Sequence, residues 1–121
     1  MKKILLVEDD PFLIDIYSTK LKDSGFKVVV VREGDGVLSK IEEEKPDLLV
    51  LDIVLPHMDG WEVLSRVKAA EEFKDLKVVI LSNLGQKDEV EKGLKLGAEK
   101  YLIKAHYTPS EVAEEIKKIL E

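Results

Sequence analysis

Four stretches of four consecutive apolar residues, Ile4 to Val7, Val28 to Val31, Leu48 to Leu51 and Val78 to Leu81, constrain this chain more than any other feature. A strand with one wet face alternates apolar and polar side chains, whereas a run that is apolar at every position fits a strand covered on both faces, as in a parallel sheet. Tyr101-Leu102-Ile103 is a shorter fifth run. The segments between the runs carry helical period and capping signals. Asp10-Pro11 opens a helix over Phe12 to Lys22 that stops at Ser24-Gly25. A second spans about Gly36 to Glu44 and closes at Pro46. Asp59-Gly60-Trp61-Glu62 starts a third that runs to about Glu72, Gln86 to Leu96 is a fourth stopped by Gly97, and Thr108-Pro109-Ser110-Glu111 is a capping box for the last. Strands alternating with helices at this spacing predict an α/β fold with a parallel five-stranded sheet, five helices and right-handed crossovers.

A chain of 121 residues is length for one domain, residues 1–121, at roughly 150 residues per domain. With 45% apolar residues it can build a core without metal or disulfide staples. The net charge of −6 argues against nucleic acid or an anionic membrane as the main partner. Absence of cysteine removes disulfides, thiolate metal sites and a Cys nucleophile, and fits a reducing compartment. Two histidines, His57 and His106, are too few for a three-His centre, so any metal would rest on oxygen ligands. Lys2-Lys3 before Ile4 to Val7 is too short for a signal peptide, and the expected location is the cytoplasm.

In open α/β sheets ligands bind beyond the carboxyl ends of the strands. The residues there are Glu8, Asp9 and Asp10 after the first run, Asp52 after the third, Ser82 and Asn83 after the fourth and Lys104 after the fifth. Carboxylates this close repel unless a cation intervenes, and oxygen ligands few in number suit Mg2+, whose shell is often completed by a phosphate oxygen. A phosphoryl group is the implied substrate. Asp52 is the candidate nucleophile, forming an aspartyl phosphate while Lys104 and the metal stabilise the equatorial oxygens.

The set Val7-Glu8-Asp9-Asp10-Pro11, Leu51-Asp52-Ile53-Val54-Leu55-Pro56-His57-Met58-Asp59-Gly60, Ile80-Leu81-Ser82-Asn83 and Gly97-Ala98 followed by Tyr101-Leu102-Ile103-Lys104 resembles a receiver domain of the CheY-like response regulators. The resemblance implies a flavodoxin-like doubly wound sheet of order 2-1-3-4-5 and two-component signalling. A histidine kinase or histidine phosphotransfer protein would then donate a phosphoryl group to Asp52. It implies that Glu8, Asp9 and Asp52, with the backbone carbonyl of Val54, hold Mg2+; that Ser82 is the switch hydroxyl and Lys104 its ion-pair partner; and that Tyr101 turns inward on activation. The change is a population shift, read by a downstream protein on the face of helix four, strand five and helix five, and it allows a phosphorylation-dependent dimer. Such a chain is no enzyme in the ordinary sense: it is a phospho-acceptor that assists its own phosphorylation and slow autodephosphorylation. With no effector segment in the sequence the output is expected in trans, from a stand-alone regulator that is a phosphorelay intermediate or a chemotaxis-like switch, the alternative being a fragment of something longer.

Three features depart from the family pattern or tune it. Glu8 and Ser82 stand where Asp and Thr are more usual and keep the needed oxygens. Ala105 follows Lys104 where proline in a cis peptide is common. A cis bond before a non-proline residue costs about 2.5–4 kcal/mol, so the Lys104–Ala105 bond is either trans or a held strain. In the family the side chains two residues after the aspartate and two after the switch hydroxyl influence the hydrolytic water; Val54 and Leu84 are apolar and cannot orient it, which predicts slow autodephosphorylation.

Other residues read as structure. Asp10 and Asp59 are helix caps, His57 and His106 loop residues without metal, Gly34-Asp35-Gly36 a turn, and Trp61 packing. Helix one carries Phe12, Leu13, Ile14, Ile16, Tyr17 and Leu21, a wider apolar arc than one buried stripe needs, so some should be exposed and dock the kinase or phosphotransfer helix, the competing reading being that all of them are core. A flavodoxin-type cofactor binder is disfavoured because Glu8-Asp9-Asp10 would repel its phosphate. A haloacid dehalogenase-like phosphatase or a TOPRIM-like nuclease needs a second Asp where Val54 stands. The competing reading is a phosphorylation-independent pseudo-receiver that acts by protein contact alone.

Overall fold

A computed structural model describes residues 1–121. Its elements are β1 (Lys3–Val7), α1 (Pro11–Asp23), β2 (Lys27–Val31), α2 (Val37–Glu44), β3 (Leu48–Leu51), α3 (Gly60–Ala69), β4 (Lys77–Ser82), α4 (Lys87–Lys95), β5 (Lys100–Ile103) and α5 (Pro109–Leu120). The strands form one sheet of order β2-β1-β3-β4-β5, and every neighbouring pair is parallel. This is the expected flavodoxin-like arrangement.

The alternation of a pleated strand divides each apolar run between two cores. Ile4, Leu6, Leu48, Val50, Val79, Leu81 and Leu102 join Tyr17 and Leu21 of α1 and Val112, Ala113 and Ile116 of α5. Their neighbours Leu5, Val7, Leu49, Leu51, Val78, Ile80 and Tyr101 join Val37 and Ile41 of α2 and Val63, Leu64 and Val67 of α3. Every residue of β3 is buried, because it lies in the middle of the sheet. The edge strand β2 is equally apolar, yet Val28 to Val31 are only half-buried. Position in the sheet decides how much water a run loses.

Caps stand where the sequence places them. Asp10 accepts the amides of Phe12 and Leu13, with Pro11 in the first turn of α1. Asp59 accepts the amide of Glu62, and Thr108 and Glu111 bond each other's backbone amides reciprocally. Helix α3 ends at Ala69 rather than near Glu72. The next residues turn instead, with Phe73 and Lys74 donating to the carbonyl of Ala70, which brings half-buried Phe73 onto the core. Gly25 takes φ +94° after α1, a conformation that a residue with a Cβ rarely adopts.

Candidate functional site

The site is built where β1, β3, β4 and β5 end. The sheet ladder carries one residue past the strands: the amide of Glu8 donates to Val31 O at 3.1 Å and that of Asp52 to Val7 O at 3.1 Å. Both carboxylates therefore start from rigid backbone rather than from loops, and both are buried. Glu8 Oε2 accepts the amides of Asp9 and Asp10 at 3.2 Å each. Asp52 Oδ1 accepts the amide of Ile53 at 2.7 Å and that of Val54 at 3.4 Å.

Between these carboxylates lies the ammonium of Lys104, just beyond β5. Its Nζ donates to Glu8 Oε1 at 2.6 Å and to Asp52 Oδ2 at 2.9 Å. Burial pushes the Glu8 carboxyl above its ordinary value of 4.5, and the Lys104 bond only partly opposes this. Burial likewise works against the Lys104 ammonium, but its bonds to Glu8 and Asp52 prevail and hold it above the ordinary 10.5. Lys104 is therefore a fixed positive charge. No peptide bond is cis, so the Lys104–Ala105 bond is trans, and Lys104 reaches both carboxylates from that backbone.

Asp9 is exposed at the mouth of the site. Carboxylate oxygens of Glu8, Asp9 and Asp52 lie within 4.8 Å of one another, and three carboxylates face one ammonium. A cluster of hard oxygen donors with excess negative charge fits a divalent cation of the Mg2+ type. The guanidinium of Arg32 donates to Asp9 O at 3.3 Å and ties this loop to the end of β2. That tie has no signal in the sequence, since Arg32 and Asp9 are far apart along the chain.

Ser82 is fully buried at the end of β4, and its Oγ accepts the amide of Leu84 at 3.3 Å. The carbonyl of the same Leu84 accepts the Tyr101 hydroxyl at 2.5 Å. One residue thus links the hydroxyl at the site to the aromatic ring behind it. Tyr101 is buried, and burial raises its phenol above the ordinary 10. The ring lies inward, packed on the core. Val54 is 61% exposed, and Leu84 is half-buried.

Gly60 explains a spacing that reads only as a pattern in the sequence. A Cβ there would lie 2.3 Å from Asp52 O and 2.6 Å from Ile53 Cα, while its amide donates to Ile53 O at 2.8 Å. The loop after Asp52 must return this closely for α3 to start, and only glycine permits it. His57 and His106 are exposed loop residues. Trp61 is half-buried beneath the Lys92 ammonium, 4.5 Å from the ring centroid. The exposed apolar residue of α1 is Phe12, at 71%; Leu13 and Ile16 are half-buried.

The sequence profile of the response regulator receiver domain family matches residues 4–117. The chain belongs to the response regulator receiver family. This receiver domain is 38% identical to the alkaline phosphatase synthesis transcriptional regulatory protein PhoP of Bacillus subtilis, over 98% of the chain and 48% of PhoP. It thus spans about half the length of that relative. It is also 37% identical to the chemotaxis protein CheY of Listeria monocytogenes, over 86% of the chain and 87% of CheY. Among solved structures, the BeF3-activated N-terminal receiver domain of Klebsiella pneumoniae RstA superposes with a TM-score of 0.91 at 30% identity, covering 99% of both chains. The family works in phosphorylation-based two-component signalling, with histidine kinases and downstream partners, and binds Mg2+ through an acidic cluster like that of the receiver's Glu8, Asp9 and Asp52. No helix of the receiver is long and apolar enough to cross a membrane.

Proposed function

We propose that this receiver accepts a phosphoryl group on Asp52 from a histidine kinase or histidine phosphotransfer protein in the cytoplasm. The observation that carries the reading is the buried Asp52 carboxylate, fixed by the Ile53 amide on one oxygen and by Lys104 Nζ at 2.9 Å on the other. A carboxylate is a weak nucleophile, so position supplies most of its reactivity. An Asp52 oxygen forms the new bond to phosphorus, the P–N bond of the phosphohistidine breaks, and its electron pair leaves on the imidazole nitrogen.

Glu8, Asp9, Asp52 and the Val54 carbonyl would hold Mg2+, which neutralises carboxylate and phosphoryl charge when bound. Lys104 is placed to exchange its bond to Asp52 for one to a phosphoryl oxygen, and Ser82 to donate its hydroxyl to another. Tyr101 and the surface of α4, β5 and α5 then present the output to a downstream protein or to a second copy of the chain. Exposed Phe12, beside the acidic pair, is the α1 residue that suits docking of the phosphodonor helix. The chain is a phospho-acceptor rather than an enzyme acting on others. It assists its own phosphorylation, and Val54 and Leu84, which offer water no hydrogen bond, keep its autodephosphorylation slow.

Intact mass after incubation with Mg2+ and a small acyl phosphate tests this reading. Wild type should gain one phosphoryl group, Asp52→Asn none, and neither should gain any with the metal chelated. In a chase, Val54→Asn and Leu84→Glu should lose the group several-fold faster than wild type. No gain in any condition would leave the pseudo-receiver reading.

A further inference from the structure

Tyr101 is buried with its hydroxyl on Leu84 O, and the space for its ring is made by a glycine. Gly93, inside the nine-residue α4, is that helix's one buried residue. A Cβ built on it would stand 2.6 Å from Ile80 Cδ1, 2.8 Å from Tyr101 Cδ2 and 3.2 Å from Tyr101 Cε2. Carbon atoms in contact sit near 3.5–4.0 Å, so a methyl group and the inward ring cannot both occupy this space unshifted. Ile80 Cδ1 is the tip of a flexible side chain and yields readily. The Tyr101 ring is held at its far end by the 2.5 Å bond to Leu84 O, so moving it strains or breaks that bond. Glycine also weakens a helix interior relative to alanine, and α4 therefore carries a local disadvantage that the ring's seat explains.

We infer that Gly93 is a positioning residue for Tyr101: lacking a Cβ, it gives the ring the room it needs to lie inward on Leu84. The inward ring holds Leu84, and through the Leu84 amide it orders the Ser82 hydroxyl at the site. A side chain at position 93 shifts the ring outward. The consequence for phosphoryl uptake rests on the reading of Asp52 given above, but the ring position can be measured without it.

The test compares Gly93→Ala, Tyr101→Ala and the double variant, all unphosphorylated, by NMR of the Tyr101 ring and hydrogen exchange at the Leu84 amide. Tyr17 and Tyr107 serve as internal standards. Gly93→Ala should move the Tyr101 ring resonances toward those of an exposed tyrosine and speed Leu84 exchange about tenfold. Phosphoryl uptake from a small acyl phosphate with Mg2+ should slow several-fold. In the Tyr101→Ala background the same substitution should change exchange and uptake by less than twofold and raise the melting temperature, since the helix then gains alanine with no ring to strike.

An unmoved ring in Gly93→Ala would overturn the proposal, as would equal effects in both backgrounds. So would their disappearance when Ile80→Val is added, which would make Ile80 the contact that matters. If Gly93→Ala proves too unstable to study, Gly93→Ala with Tyr101→Phe decides. Phe lacks the bond to Leu84, so restored folding with an outward ring supports the proposal and an inward one overturns it. A wild type that takes up no phosphoryl group while its ring still responds to Gly93→Ala would sink the phospho-acceptor reading and leave the seat of Tyr101 standing.

Discussion

Helices α5 and α4, on opposite faces of the sheet, are held by different means. On one face α5 buries Val112, Ala113 and Ile116, and α1 buries Tyr17 and Leu21, against Ile4, Leu6, Val79, Leu81 and Leu102. On the other, α2 and α3 bury stripes of their own, but α4 buries only Gly93, with Val90 and Leu96 half-buried and Leu94 47% exposed. A helix fixed by several buried side chains separates from its sheet at a cost of several kcal/mol. One seated through a glycine and a few half-buried contacts belongs to the low-stability end, from which moving elements are drawn. The weakly held helix follows Ser82 after four residues. The α5 side of the sheet is thus firmly packed, and α4, which follows Ser82 and seats Tyr101 on Gly93, is lightly packed.

The largest effect that could break this comparison comes from cutting one side chain in each helix. Ile116→Ala on α5 should cost about 2–5 kcal/mol in urea unfolding, and Val90→Ala on α4 about 1 kcal/mol or less, because half its surface is already in water. Equal losses would mean that α4 is as firmly seated as α5.

A smaller effect sharpens it at the helix starts. The box on α5 is reciprocal, Thr108 Oγ1 accepting the Glu111 amide at 3.1 Å and Glu111 accepting the Thr108 amide at 2.8 Å. Helix α4 shows one arm, Glu89 accepting the Gln86 amide at 3.0 Å. Thr108→Ala should lower global stability by about 1 kcal/mol. Glu89→Ala should lower it less and instead speed hydrogen exchange within α4 alone, since local opening there does not require the whole domain to unfold.

The smallest effect is electrostatic. Lys100 of β5 pairs with Glu115 of α5, which also bonds Lys118. The Lys100 bond is the main cause that draws the Glu115 carboxyl below its ordinary 4.5 and raises Lys100 above 10.5. A depressed carboxyl stabilises the fold above its unfolded value, and this is lost as pH falls through the folded one. A raised ammonium stabilises it below its unfolded value, and this is lost as pH rises through the folded one. The pair thus acts between about pH 4.5 and 10.5. Because Lys100 is 45% exposed, water screens the pair, and Glu115→Gln should cost about 0.2–1 kcal/mol at pH 7 and progressively less as pH falls below 4.5. A larger loss would mean that charge, and not only burial, fastens α5.

Much of this architecture is legible along the chain. The apolar runs became the strands in the expected order, and Asp10, Asp59 and Thr108 cap the helices they precede. The site residues stand where strands end, so Glu8, Asp52, Ser82 and Lys104 gather at one edge. Helix α3 was harder to end, because Ala70 to Glu72 are good helix formers and only the packing of Phe73 turns the chain away. Gly60 and Gly93 were opaque for a common reason: a glycine in sequence signals flexibility or a helix end, whereas each of these is required by a neighbour that only the fold brings near.

The sequence by itself determined the class of fold, the parallel sheet and the acidic edge with its lysine, because periodicity, caps and strand ends are local or follow from one rule of topology. Tertiary structure alone decided that β2 keeps partial contact with water, that Lys104 bridges Glu8 and Asp52 from a trans backbone, and that Tyr101 rests inward on Leu84 beside Gly93. These depend on distances between residues remote in the chain. A hydrogen bond or a methyl-sized space is settled within a few tenths of an ångström, a scale that residue order does not encode.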